Sequence, residues 1–291
     1  MPFLILSCSV RKHDRVKASS PFGMVPRDLW LANQLESAYR TYHRSRYIET
    51  DPIRYPHRYS NPQDIEVVAF YSALLSYGNV KAIFKVLDAL CVSLGRHPTE
   101  WLTQSKPSAI TTALSPLYHR FTTAEDLICL TMGLRQIYQT EGRLLSLFNT
   151  FHDASDVNIE RAAAGFLREF KKRCAGNGRP VGGTMDYLLA SPDRGSACKR
   201  LNLFLRWMVR RDQVDFGLWT TVSPGQLVMP LDAHIIRIAR NWRLLKRKTA
   251  NWKSAEELTD RLRRFSPDDP VKYDFALTRL GMRAERLFGV T

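Results

Sequence analysis

The chain is poor in several features that would settle its class at once. Its 5 cysteines are Cys8, Cys91, Cys129, Cys174 and Cys198, an odd number without paired spacing. They exclude a disulfide framework and leave no pattern for a zinc or iron–sulfur site, so no cofactor and no metal is expected, and a reducing cytoplasm fits best. No apolar run reaches membrane-spanning length; the N-terminal Phe3–Cys8 run is too short even for the core of a signal peptide. Period-two alternation is missing throughout, as are internal repeats and low-complexity tracts, which argues against a sheet protein and against disorder. Acidic residues are scarce beside basic ones, 28 against 43, for a net charge of +15. That excess favours a polyanionic partner, because phosphate contacts release counterions.

What the chain does have is apolar substance and helical punctuation. At 291 residues with 14 Phe, 11 Tyr and 6 Trp, it can bury a substantial core. Residues 1–27 read as a loosely ordered extension broken by Ser19, Ser20, Pro21, Gly23 and Pro26, and 28–291 as a single helical domain. Patterning begins at Asp28 and runs toward Tyr47, followed by a turn-rich segment with three prolines. Asn61, Pro62 and Asp64 then open an apolar helix stopped by Gly78, and a second helix over Val80–Leu94 is closed by Gly95. Further helices are expected at Thr123–Tyr138, Arg143–Phe151, Glu160–Arg173, Lys199–Arg210, Ala233–Leu245, Ser254–Phe265 and Pro270–Met282. A glycine-rich loop at 175–183 marks a division into two helical subdomains with a cleft between them. The expected class is all-α, and the default oligomeric state is a monomer.

The chemistry concentrates between Gly195 and Asn241. In the helix that starts there, Leu201, Phe204, Leu205 and Met208 fall on one stripe, while Lys199, Asn202 and Arg206 share another face. Lys199 stands in the first turn, where the positive end of the helix dipole disfavours an ammonium group, and partial burial acts the same way. An amine so placed is a competent nucleophile for Schiff-base chemistry; the common alternative is an ordinary solvated lysine. Asp232 follows 33 positions later as the expected N-cap of a helix whose stripe is Ile235, Ile238, Ala239 and Trp242. A plain structural cap is the commoner reading of such an aspartate. A rigidly held carboxylate can also accept a proton from an incoming amine or stabilise a sugar cation.

PLDAHIIRIARNWRLL resembles the (V/L)DxHhxRhxxRxxL segment of the helix-hairpin-helix DNA glycosylase superfamily, whose aspartate is catalytic. GSACKRLNLFLRWM occupies the place of that superfamily's hairpin and lysine nucleophile. The wide lysine-to-aspartate interval is similar to the archaeal 8-oxoguanine glycosylase branch rather than to the endonuclease III branch. DIEVVAFYSALLSYGNVKAIFKVLDAL looks like the opening helix pair of the six-helix barrel domain. Over residues 48 to 285 the chain resembles a bacterial family recognisable by SACKRLN, FLRWMVR, PLDxH and DPVKYDFAL. Two departures stand out: the superfamily hairpin reads LPGVGxKTA where this chain has LLASPDRGSACKR, and the cysteine cluster of the iron–sulfur members is missing.

The resemblance implies a DNA-repair glycosylase with abasic-site (AP) lyase activity, nucleoid-associated, acting on double-stranded DNA that carries an oxidised purine, 8-oxoguanine above all. It implies Lys199 as the nucleophile that attacks the sugar C1′ of an extruded nucleotide, and Asp232 as its proton acceptor and charge stabiliser. Tyr77 and Asn79 match the region that fills the vacated stack or contacts the base. Gly195, Ser196, Arg200, Arg206, His234 and Arg237 are the further candidates for DNA contact. Three of these have a plainer alternative: Tyr77 as core, Asn79 as a helix cap, His234 as a local hydrogen-bonding residue. Trp207 and Trp219 suit base stacking but are more often core. Asp212, Asp215, Asp268 and Asp269 suggest a metal-dependent nuclease only weakly, since Asp268 and Asp269 precede Pro270 as an expected cap. A basic cluster of Arg237, Arg240, Arg243, Lys246, Arg247 and Lys248 spreads around its helix. The rival reading is a non-catalytic DNA- or structured-RNA-binding protein with the same fold.

Overall fold

The computed structural model describes residues 26–175 and 182–288, with side chains described as far as Arg283. The extension expected over 1–27 lies, apart from its last two residues, outside the described residues, as do Cys8 and the middle of the glycine-rich loop at 175–183. The described chain is all-helical, without strands. Its α-helices are α1 (Pro26–Tyr42), α2 (Pro62–Leu74), α3 (Val80–Leu94), α4 (Pro98–Gln104), α5 (Pro107–Leu114), α6 (Ala124–Glu141), α7 (Leu144–Asn149), α8 (Glu160–Ala175), α9 (Thr184–Leu188), α10 (Lys199–Val209), α11 (Ala233–Asn241), α12 (Trp252–Arg263) and α13 (Asp274–Phe288). The turn-rich stretch after α1 forms three short 3-10 turns between Ser45 and Arg58.

Capping chemistry sets most of these boundaries. Asn61 accepts from the Gln63 and Asp64 N–H groups with Pro62 behind it, which starts α2. Asn79 accepts from the Lys81 N–H and Gly95 ends α3 at φ +67°. Thr123 and Asp126 exchange hydrogen bonds as a reciprocal cap of α6. The structure departs from the sequence expectation at α13, which begins at Asp274 rather than Pro270. Asp269 does not cap that helix: its carboxylate accepts from Arg210 Nε at 2.9 Å.

Helix α2 is the axis of the molecule. Every residue from Asp64 to Leu74 is buried, so it shows no single apolar stripe and packs on all sides. It lies against α10, α4 and the 3-10 turns, while α6 packs on α8 and α13 on both α1 and α11. Phe70, Phe166, Phe170, Phe204 and Phe148 interlock around Trp219. The buried apolar residues form one connected cluster from Leu31 to Leu277, each large side chain contributing roughly 1.5–3 kcal/mol of burial. Packing α10 across α2, and α11 across α13, brings the first turns of α10, α11 and α13 to one place. Among the described residues no helix is long and apolar enough to cross a membrane.

Candidate functional site

Those three helix starts surround a cavity of about 510 Å³. Lys199, Arg200 and Arg206 reach it from α10, Asp232 and His234 from the start of α11, Asp274 and Arg279 from α13, and Tyr77 with Gly78 from the turn after α2. Its size and its mix of apolar wall with convergent charges suit a small polar ligand or a single extruded nucleotide.

The lysine is tied to the segment that follows α2. Lys199 Nζ donates to the Ser76 carbonyl at 3.0 Å, which fixes the amine against the buried segment that follows α2, next to the cavity. The residue before it, Cys198, has φ +47°, a conformation that side chains seldom adopt. This backbone kink turns the chain from the loop after α9 into α10. The Cys198 thiol donates to the Ala190 carbonyl at 3.1 Å, and burial pushes it up to about 12, so it stays a thiol.

Asp232 has the geometry read from the sequence: it caps α11, accepting from the Ile235 N–H at 2.9 Å, and its residue lines the cavity. The same cavity is lined by a carboxylate that the sequence reading did not single out. Asp274, 3% exposed, opens α13 and is bound through Oδ2 by Arg206. Burial, then the Asp232 carboxylate, push the Asp274 carboxyl up, against Arg206 and Lys199, to about 6. Asp232 and Lys199 therefore both act electrostatically on Asp274, and all three line one cavity. Asp274 lies in the DPVKYDFAL motif, just ahead of the Phe275–Leu277 apolar run, but the Asp269–Pro270 pair at the start of that motif drew the helix-cap reading instead.

Arg206 corrects an expectation. It was a candidate for DNA contact, but it is 2% exposed and bound on both sides, by Asp215 Oδ1 at 3.1 Å and by Asp274. Arg210, also buried, pairs with Asp215, Asp212 and Asp269. Three of the four acidic residues that suggested a nuclease, Asp212, Asp215 and Asp269, are thus partners of two buried arginines, and His43 Nε2 hydrogen-bonds Asp212 at 2.9 Å. A buried guanidinium in such a network cannot reach a phosphate outside it.

The remaining candidates divide. Tyr77 is largely buried, its hydroxyl between the His119 carbonyl at 2.8 Å and Thr122 Oγ1 at 2.6 Å. Its ring stacks on Phe121 and meets the edge of Tyr187, both of which are exposed. Arg200 lies over the Tyr187 ring at 3.8 Å and donates to the Tyr187 carbonyl, so it joins this aromatic rim instead of extending into solvent. Asn79 is a cap exposed on the far side of Val80, and it lines a neighbouring cavity of about 720 Å³. His234 lines the main cavity. Arg237 donates to the Gly281 carbonyl at 2.8 Å and holds α11 on α13. Gly195, at φ +74°, turns the loop before α10, but its carbonyl accepts from Trp252 N–H at 3.1 Å. Ser196 Oγ accepts from the Cys198 N–H, and the Ser196 backbone bridges to Asn251. Neither of these two loop residues lines the cavity. Trp207 and Trp219 are fully buried and are core. Among the described residues no group of three or more His, Cys, Asp or Glu is placed to hold a metal ion.

No curated protein and no solved structure matches the chain. A family model does, over residues 51–283, the span that holds every cavity residue named above. The chain belongs to the family described as "Protein of unknown function (DUF2400)".

Proposed function

We propose that the protein is a DNA N-glycosylase with AP lyase activity, built on a helix-hairpin-helix glycosylase fold, and that it removes an oxidised purine, 8-oxoguanine in the first place, from double-stranded DNA. The observation that carries this reading is the convergence of Lys199 and Asp232, 33 positions apart, on one cavity. An amine nucleophile and a carboxylate facing a common space are what displacement at C1′ requires: the amine forms the new bond, and the carboxylate stabilises the cationic sugar. The exposed rings of Tyr187 and Phe121 beside Tyr77 offer an apolar rim where an unstacked base can lodge. The net charge of +15 suits a duplex partner. The superfamily's phosphate-binding hairpin is represented by the turn from α9 to α10, with the Gly195 carbonyl tied to Trp252. Phosphate contact in this protein therefore falls more heavily on side chains.

One observation favours the second reading, a non-catalytic nucleic-acid-binding protein. The Lys199 ammonium already has a carbonyl partner, Ser76, as a purely structural lysine would. Borohydride trapping separates the two. Wild-type protein is incubated with duplexes that are undamaged, carry 8-oxoguanine, or carry an abasic site. A covalent adduct on the damaged duplexes, lost in Lys199→Gln, is the expected result. Adduct on abasic DNA alone keeps the lyase and discards the lesion assignment. Salt-sensitive binding without adduct on any duplex, and without base release, gives the binding-protein reading.

A further inference from the structure

The site contains two carboxylates where the proposed chemistry is usually written with one, and their surroundings differ. Asp232 is committed to a backbone N–H: its Oδ1 caps α11, at the positive end of that helix. Asp274 is enclosed by protein and bound through one oxygen, Oδ2, by Arg206. Among the described residues no hydrogen-bond donor is placed on its other oxygen, although the residue lines the cavity. Two titratable groups in contrasting environments are the usual arrangement for dividing acid–base work from electrostatic work.

We infer that Asp274 is the proton acceptor for Lys199, and that Asp232 serves the developing sugar cation alone. The inference rests on the glycosylase/lyase reading above. In the first step the Lys199 ammonium transfers one proton to the Asp274 carboxylate, giving a neutral amine and a neutral carboxyl. The amine lone pair then forms the N–C1′ bond as the C1′–N bond to the base breaks, and the base departs with that electron pair. The Asp274 carboxyl returns its proton to the departing base, leaving an aminium-linked sugar and a regenerated carboxylate. Charge and protons balance without any added reactant. On an abasic site the same amine attacks the C1′ aldehyde; the returned proton leaves with the hydroxyl as water, and the iminium forms.

The surroundings suit a group that exchanges a proton. Lys199 and Arg200 face the cavity from α10 together with Arg206, Asp232 and His234 from the start of α11, Arg279 from α13 itself, and Asp51 from the 3-10 turns, where it pairs with Arg279 at 2.7 Å. Arg206 is a positioning residue: with Asp215 on its other side it holds the Asp274 carboxylate at the wall of the cavity that both residues line. Burial, opposed by Arg206, brings the Asp274 carboxyl to about 6. It is then ionised at neutral pH yet basic enough to take a proton.

The test is the pH dependence of single-turnover borohydride trapping on an abasic duplex, for wild type, Asp274→Asn and Asp274→Glu. Wild-type trapping is expected to rise as pH passes through about 6 and then level. Asp274→Asn is expected to lose this limb and to fall by about 10²-fold at neutral pH. Asp274→Glu is expected to restore the limb. Duplex affinity by fluorescence anisotropy and a thermal melt show which variants are folded. A purely structural Asp274 would leave the shape of the profile intact in any folded variant, and that result overturns the inference while leaving the lyase standing. A wild-type rate that is flat from mildly acidic to neutral pH overturns it even if Asp274→Asn does not fold. No wild-type adduct at any pH overturns the lyase reading and this inference together.

Discussion

Glu66 accepts the indole N–H of Trp219 at 2.7 Å, joining the middle of α2 to a residue 153 positions later. The Glu66 side chain is wholly buried, and its two oxygens also receive the Tyr138 hydroxyl at 2.7 Å, the Leu144 N–H at 2.8 Å and the Arg143 guanidinium. A carboxylate in the most enclosed helix of the protein is tolerated only because every lone pair is used. Trp219→Phe deletes one donor and replaces the buried indole with a smaller ring, so a loss of roughly 1–3 kcal/mol is expected. Glu66→Ala strands Arg143 and three uncharged donors together, with an expected loss of about 3–5 kcal/mol. Urea unfolding of both variants checks this order, and equal losses would mean that ring packing rather than the hydrogen bond decides.

Arg206 gives a sharper contrast between a structural and a DNA-facing arginine. Between Asp215 and Asp274 it neutralises two buried carboxylates at once. Arg206→Met is expected to destabilise the fold by about 3–5 kcal/mol, because the buried Asp274 loses its arginine and Asp215 is left with Arg210 alone. It should leave the slope of duplex affinity against salt unchanged, since no phosphate contact is removed. Denaturant unfolding and anisotropy titrations at several salt concentrations measure the two effects. A slope reduced by about one unit with stability retained would return Arg206 to the DNA interface.

Stability should also depend on pH through Asp274. Its carboxyl is raised to about 6 in the folded protein, chiefly by burial, above an ordinary aspartate near 4 in the unfolded chain. Between those values the folded state holds more proton than the unfolded one, so this residue's contribution falls as pH rises from about 4 to about 6 and is level beyond. Asp212 works in the opposite sense. Burial pushes it up, but the His43 hydrogen bond and Arg210 outweigh burial and hold it well below the usual carboxylate range. Its contribution is present above about 4 and is lost as pH falls further. Chemical unfolding across pH 4–7 should show wild type losing stability relative to Asp274→Asn by on the order of 2–3 kcal/mol. A difference that stays constant over that range would remove Asp274 as a titrating group.

The sequence makes some of this architecture readable and hides the rest for identifiable reasons. Helix α3 is legible end to end because Asn79 caps it, Gly95 stops it, and Ile83, Val86, Leu87, Leu90 and Leu94 give it one buried stripe. Helices α4 and α5 escape notice: they hold 7 and 8 residues, too few for periodicity to speak. Helix α10 misleads in another way. Its stripe is real, but Asn202, Arg206 and Trp207 are buried as well, so the helix is enclosed nearly all round. A charged residue off the stripe then looks solvated when it is paired inside. The same effect moved the start of α13. Asp269 beside Pro270 has the form of a helix cap, yet Arg210 claims its carboxylate, and the helix begins at Asp274. Lys199 and Asp232 were legible because each sits at a helix start that local chemistry fixes; their meeting depends on how α10, α11 and α13 pack, which is a long-range property.

Gly78, between Tyr77 and the Asn79 cap, tests how tightly the cavity rim is built. Its φ is +87°, and a Cβ there would lie 2.5 Å from Arg120 Nη1 and 2.7 Å from Arg120 Cδ. Two costs are therefore combined in Gly78→Ala: backbone strain of about 1–2 kcal/mol, and displacement of an exposed arginine side chain that has freedom to move. Arg120 sits in the tight turn where His119 and Thr122 exchange backbone hydrogen bonds at 2.8 Å. Its own φ is +55°, so moving its side chain disturbs a turn already under strain. Gly78→Ala is expected to lower stability by roughly 1–3 kcal/mol. In an Arg120→Ala background the same change should cost only the backbone part, and the difference between the two is the coupling between the residues. Thermal unfolding of the four proteins in this cycle measures it. Zero coupling would mean that Arg120 does not occupy the space over Gly78 in solution, and the rim between Tyr77 and Phe121 would then be open rather than closed by a guanidinium.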